Sequence, residues 1–176
     1  LTLDKAAEAD SLLQPLLVKS PNDPRLLNLA GRAQLKLGNY DMASGHLQRA
    51  KILNPLNPTR LLTLGQVFMQ MGRLKPAEEN FLEAAKLTAP GNKDAQLGLG
   101  QCQLLRGDIN TALKIMSEIT SPHEMASVFN SAAILTVKHG QEEFCLDLYD
   151  AGIKVIGKNS LIASKLFYNK GIALTK

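Results

Sequence analysis

The stretch LLNLAGRAQLKLGNYDMASGHLQRAKILNP, residues 26–55, decides how the chain is read. Two apolar-periodic halves meet at Gly38-Asn39 and close at Pro55. In the first half Leu27, Ala30, Ala33 and Leu37 recur at three- and four-residue steps, the spacing that gathers side chains on one stripe of an α-helix. Ala43, Leu47 and Ala50 make the facing stripe of a second helix. Pro24 falls at a helix start, where a missing N–H costs nothing. Gly31 lacks a side chain, so a neighbouring helix can approach closely there. Gly38 falls just past the first helix, where a left-handed residue closes the last turn.

The pattern returns down the chain. Turn glycines Gly38, Gly72, Gly107 and Gly140 are 34, 35 and 33 residues apart. Aligned pairs precede them at Ala30-Gly31, Leu64-Gly65, Leu99-Gly100 and Ala132-Ala133. A small residue opens each second helix at Ala43, Ala77, Ala112 and Cys145, and a large one follows at Leu47, Phe81, Met116 and Tyr149. Such self-similarity marks a repeat architecture. Neither helix of a pair buries its stripe alone, so each pair needs its neighbours.

These residues resemble the tetratricopeptide repeat, a helix-turn-helix unit of about 34 residues, and the resemblance covers nearly the whole chain. It implies an all-α fold, a right-handed α-solenoid of about ten helices. The expected array runs from a half repeat at 1–23, second helix only, through repeats at 24–57, 58–91 and 92–125. A degenerate repeat at 126–158 follows, with Ala133 for the usual glycine and Cys145 for the usual alanine, then a half repeat at 159–176, first helix only. The third repeat lacks the final proline and sits one residue late, after Pro90-Gly91. Pro15 lies inside the first helical pattern and is expected to kink or split it. Both ends read as cut, and the chain opens Leu-Thr-Leu rather than with Met, as a fragment would. Leu166, Phe167 and Leu174 of the last helix are expected to expose apolar surface, covered by another chain or by further sequence.

Hydrophobic content of 45% and charge of 20% suit a soluble protein, and with 5% aromatics and no Trp the core must rest on Leu and Ala. No apolar run approaches the roughly 18 to 20 residues of a membrane span, and no signal peptide opens the chain, so membrane insertion is not expected. A net charge of +4 with scattered Lys and Arg disfavours a nucleic-acid partner. Cys102 and Cys145 form neither a metal-ligand spacing nor a disulfide framework and read as small buried apolar residues, which weighs toward a cytoplasmic location. His46, His123 and His139 fall in different repeats and read as surface histidines. The glycines of LGLGQ sit mid-helix, in register with the other packing glycines, rather than in a dinucleotide fingerprint. Glu78-Glu79 and Glu142-Glu143 are expected to open second helices and complement their dipoles. No catalytic, cofactor or metal site is expected.

What remains is surface. By analogy with the family, the first helices line a concave wall. Its expected protein-binding residues are Arg25, Asn28, Arg32, Leu62, Gln66, Met69, Leu97, Gln101, Leu104, Asn130 and Ile134. Such a wall, basic at its N-terminal end and apolar with amides in its middle, suits an extended peptide or a helix with apolar anchors. The alternative for Leu62, Met69, Leu97 and Leu104 is packing between repeats. The carboxylate clamp of chaperone-binding members is absent. It needs Lys, Asn, Asn, Lys and Arg on three successive first helices, and this chain offers Asn28 and Arg32, then Thr63 and Gly98. MASVFNSAAILTVKHGQEEFCLDLYDAGIKVI and ASKLFYNKGIALTK also resemble the helical output regions of some bacterial response regulators. The expected function is thus a non-catalytic scaffold that binds a protein segment in its groove. The alternative is a self-association or regulatory output module, with a homodimer through the end helices.

Overall fold

Capping and turn chemistry set the helix limits. In the computed structural model, which describes residues 3–88, 92–157 and 160–175, ten helices are found: α1 (Leu3–Lys19), α2 (Pro24–Leu37), α3 (Tyr40–Leu53), α4 (Pro58–Gln70), α5 (Leu74–Leu87), α6 (Lys93–Leu105), α7 (Ile109–Ser117), α8 (Pro122–Lys138), α9 (Glu142–Ile156) and α10 (Leu161–Leu174). No strand occurs among the described residues. Asp23 and Asn57 cap α2 and α4, accepting from the backbone N–H of Arg25 at 2.7 Å and of Arg60 at 3.0 Å. Ser121 and Glu124 form a capping box at α8, so orphan donors at these starts find partners. The even-numbered helices are here called first helices and the odd-numbered ones second helices.

One turn joins four pairs. Gly38, Gly72, Gly107 and Gly140 have φ of 79°, 72°, 88° and 72°, the left-handed region that favours glycine. Each glycine N–H and the next residue's N–H donate back to late carbonyls of the preceding helix, as Gly38 to Leu35 and Asn39 to Gln34. Orphan carbonyls are thereby satisfied, and the chain reverses within a few residues.

The chain divides into two compact units, Leu1–Ala95 and Gln96–Lys176, with the boundary inside α6. In the first unit α2 packs on α3 and α4 on α5, while α1 lies against α2 and α3 against α4. A Cβ at Gly31 would sit 2.4 Å from Leu47 Cγ, and one at Gly65 would sit 2.6 Å from the Phe81 ring. The absent side chains are therefore what lets each pair close. Leu61, Ala84 and Ala95 form a buried cluster flanked by Leu62 and Ala85. Lys51 adds a polar tie from α3 to α5, donating to Glu83 at 2.5 Å and to Asn80 at 3.3 Å.

The second unit repeats the scheme. A Cβ at Gly100 would meet Met116 Cγ at 2.7 Å. Ala133 and Tyr149 are both buried. A Cβ at Gly152 would touch Phe129 Cβ at 3.0 Å and Leu166 Cδ1 at 3.2 Å, so α8, α9 and α10 meet at one point. Cys102 and Cys145 are both buried.

Several expectations are corrected. α1 runs unbroken through Pro15, so the proline does not split it; Ala6 and Leu13, both ahead of it, are buried and hold the helix down. No acid lies in the first turn of α5, because that helix starts at Leu74 and Glu78-Glu79 fall a turn later, whereas Glu142 and Glu143 do open α9. Leu166 is buried, against expectation, while Phe167 and Leu174 are exposed. His46 and His139 are half-buried and His123 is exposed. The Pro90-Gly91 offset lies outside the described residues.

Gly65→Ala is expected to destabilise the chain, because overpacking against the Phe81 ring costs about 1–3 kcal/mol. Gly171→Ala should be neutral or stabilising, since no atom lies within 4 Å of a Cβ there and alanine is the better helix former. Urea unfolding of both variants reads the opposite signs. A second expectation concerns acid. Donation from the Arg25 backbone N–H, then from its side chain, holds the Asp23 carboxyl below its usual value, and Thr111 does the same for Asp108. A carboxylate depressed in the folded state stabilises above its unfolded pKa, and that contribution fades as pH falls through the folded pKa. The double variant Asp23→Asn, Asp108→Asn keeps capping groups but should lose less stability than the parent below about pH 4, measured by urea midpoints across pH.

Candidate functional site

The first helices of the first unit gather a pocket of about 320 Å³ lined by Arg32, Leu35, Lys36, Thr59, Leu62, Thr63, Gln66 and Asp94. The α2 and α4 starts at Asp23 and Asn57 aim these side chains. Leu61 and Leu64 on α4 are buried while Gln66 is exposed, so one helix serves the core on one stripe and the pocket on another. Arg32 and Lys36 bring positive charge from α2, and Asp94 brings a carboxylate from the start of α6. In the first turn of α4 Arg60 is buried, and its Nη1 donates to the Asn54 carbonyl, tying the start of α4 to the end of α3. Its Nε has no hydrogen-bond partner, and burial pushes its pKa down.

The expected wall residues fall into four groups. Arg32, Leu62 and Gln66 come together in the pocket. Arg25 and Asn28 lie elsewhere on α2: Arg25 is exposed and turns back to Asp23 at 3.3 Å, while the Asn28 Oδ1 is buried with no hydrogen-bond partner. Met69 and Leu104 are buried, at 4% and 0% exposure, and so take the packing role rather than a ligand-facing one. Apolar character at helical spacing fits either role, which is why the sequence does not separate them. In the second unit Leu97 and Gln101 are half-buried and Ile134 is half-exposed. Ile134 lines a smaller pocket of about 170 Å³ with Val137, Tyr149, Asn169, Ile172 and Ala173. The Asn130 Oδ1 accepts from Asn169 at 2.7 Å, a pairing with no sequence signature. Thr63, which lines the first-unit pocket through a partly buried side chain, donates its hydroxyl to the Thr59 carbonyl at 2.9 Å.

Among the described residues no three His, Cys, Asp or Glu are grouped to hold a metal ion. Burial first, then Glu142, pushes the Cys145 thiol up, which leaves it protonated and a poor nucleophile at neutral pH. Burial, then Cys145, likewise raises the Tyr149 phenol. No described helix is long and apolar enough to cross a membrane.

A tetratricopeptide-repeat profile matches residues 62–122. That stretch reads as tetratricopeptide repeat. Solved structures of the same fold accompany the match. YrrB, a TPR protein with an unusual peptide-binding site, is 18% identical over 94% of this chain and 84% of its own, with a TM-score of 0.63. TTC0263, a TPR protein of Thermus thermophilus, is 19% identical over 99% and 93%, with a TM-score of 0.60. MamA MSR-1 C2 is 20% identical over 89% and 90%, with a TM-score of 0.64. At these identities the likeness is one of fold. Comparison with curated proteins returned no match. The tetratricopeptide fold points to a protein-interaction scaffold.

The burial pattern separates wall from core. Leu104→Ala is expected to cost about 2–5 kcal/mol, as for other buried leucines. Gln66→Ala should stay within about 0.5 kcal/mol. Chemical denaturation of the two variants checks the division, and equal losses would mean that Gln66 also belongs to the core.

Proposed function

We propose that this chain is a non-catalytic scaffold that takes a peptide or helical segment of a partner protein along its first helices, anchored in the pocket around Leu62. The observation carrying this reading is the pocket itself. Leu35 and Leu62 supply apolar lining, and Arg32, Lys36, Thr59, Gln66 and Asp94 surround it with donors and acceptors. Arg32, Lys36, Thr59, Gln66 and Asp94 are exposed, so the core does not account for them. A volume of about 320 Å³ lies at the low end for ligand pockets. It suits one or two side chains of a segment rather than a whole cofactor. The paired Arg32 and Lys36 favour a segment carrying a carboxylate beside its apolar anchor. That YrrB has a peptide-binding site is consistent with the same use of this fold.

The test is a selection of displayed random peptides on the chain, with affinities then measured on the parent and on the double variant Arg32→Glu, Gln66→Ala. Selected sequences should pair an apolar residue with a nearby acid. They should bind the folded variant at least tenfold more weakly, about 1.4 kcal/mol. Peptides that bind parent and variant equally would remove the pocket from the reading, whatever their sequence.

A further inference from the structure

The charged side chains around the first-unit pocket are placed by the fold but not used by it. Asn92 Oδ1 accepts from the Ala95 backbone N–H at 2.9 Å, so Asn92 takes the capping role at the start of α6 and leaves the Asp94 carboxylate out of it. Ala95 is buried with Leu61 and Ala84, which fixes the start of α6 on α4. Asp94 beside it is exposed and lines the pocket. α2 brings Arg32 and Lys36, both exposed and one helical turn apart, a spacing at which like charges repel.

Among the described residues, none of these three side chains has a hydrogen bond or an ion pair. Two signs of charge thus share one pocket of about 320 Å³ without closing on each other. α4 packs against α2 and, through Leu61, against the start of α6. Its own contribution to the pocket, Thr59, Leu62, Thr63 and Gln66, carries no charge. The same order is written in the aligned sequence. Arg25, Thr59 and Asp94 stand six residues before Gly31, Gly65 and Gly100, and run from cation through neutral to anion. Arg32 and Lys36 stand one and five residues after Gly31, and Gln66 and Gln70 take their places after Gly65. Arg25 is paired with Asp23, so Arg32 and Lys36 hold the positive end.

We propose, on the reading that this pocket is the binding site, that the partner segment it takes is dipolar. An acidic side chain lies over α2 and a basic one, Lys or Arg, at Asp94, on opposite sides of the apolar residue that meets Leu62. Asp94 is then the residue that sets specificity. A segment acidic throughout is attracted by Arg32 and Lys36 and repelled by Asp94. One that is basic throughout meets the reverse, so each loses at one end what it gains at the other. Mixed charge in the right order is favoured at both ends, and the wrong order is refused at both. All three protein charges are exposed, so each pair is modest and screened by salt. The order of charges, more than their total, tells one segment from another.

The test selects displayed random decapeptides on the 176-residue chain and, in parallel, on Asp94→Lys. Parent binders should carry an acid and a base flanking an apolar residue, and binders of the variant should keep the acid and lose the base. A synthetic parent-selected peptide is then titrated beside an analogue with glutamine in place of its base. On the parent the analogue should bind roughly two- to fivefold more weakly, the range for an exposed ion pair. On Asp94→Asn, which introduces no charge, peptide and analogue should bind alike. The double variant Arg32→Gln, Lys36→Gln should likewise erase the cost of replacing the peptide's acid and leave that of replacing its base. Peptides weakened by Arg32→Glu, Gln66→Ala whose base counts equally on parent and Asp94→Asn overturn the dipolar segment and leave the pocket as the binding site. So do pocket-dependent peptides that carry no base. Peptides indifferent to Arg32→Glu, Gln66→Ala, or a selection without binders, overturn both readings.

Discussion

Everything in this fold depends on how closely two helices of a pair can approach. The decisive contact joins a small residue of the first helix to a large one 16 positions later on the second: Gly31 with Leu47, Gly65 with Phe81, Gly100 with Met116. Contact at that range lets the large side chain lie across its partner's backbone, where dispersion is gathered from many atoms at once. The constant spacing follows from the constant turn, since each left-handed glycine reverses the chain over the same few residues. With pairing secured by one stripe, the remaining faces of each first helix are released from packing duty.

Those released faces carry the candidate site. On α4, Leu61, Leu64, Val67 and Phe68 are buried, and Leu62 and Gln66 are left to line the pocket. Most of the polar residues there are exposed, while Arg60 on the same helix is buried. Its contact with the Asn54 carbonyl ties down the α3–α4 connection.

Much of this was legible in the sequence, and the parts that were not share a cause. The turn glycines, the close-packing glycines and the second-helix stripe each demand a residue type for a local reason. Backbone conformation or lack of a Cβ reads directly from the letters. Met69 and Leu104 were not separable from wall residues, because an apolar side chain beside a helix seam satisfies either environment. Arg60 reads as surface and lies buried, since only the three-dimensional course of the α3–α4 connection brings the Asn54 carbonyl to it. The Asn130–Asn169 pair spans two helices whose register no local rule sets. The pocket was legible only through the family analogy, which names Arg32, Leu62 and Gln66 for the wall; that they meet in one pocket follows from the packing of the first helices.

The placement of the two thiols has a consequence for observing motion. Cys102 and Cys145 are the chain's only cysteines, both buried and both in the second unit. A thiol shut inside packed helices reacts with a reagent only when those helices part, so its labelling rate is set by how often they do. The second unit thus carries its own clock for local opening, and the first unit, without a cysteine, is silent to the same reagent. The fold has in effect marked one of its halves for kinetic readout, with no substitution required.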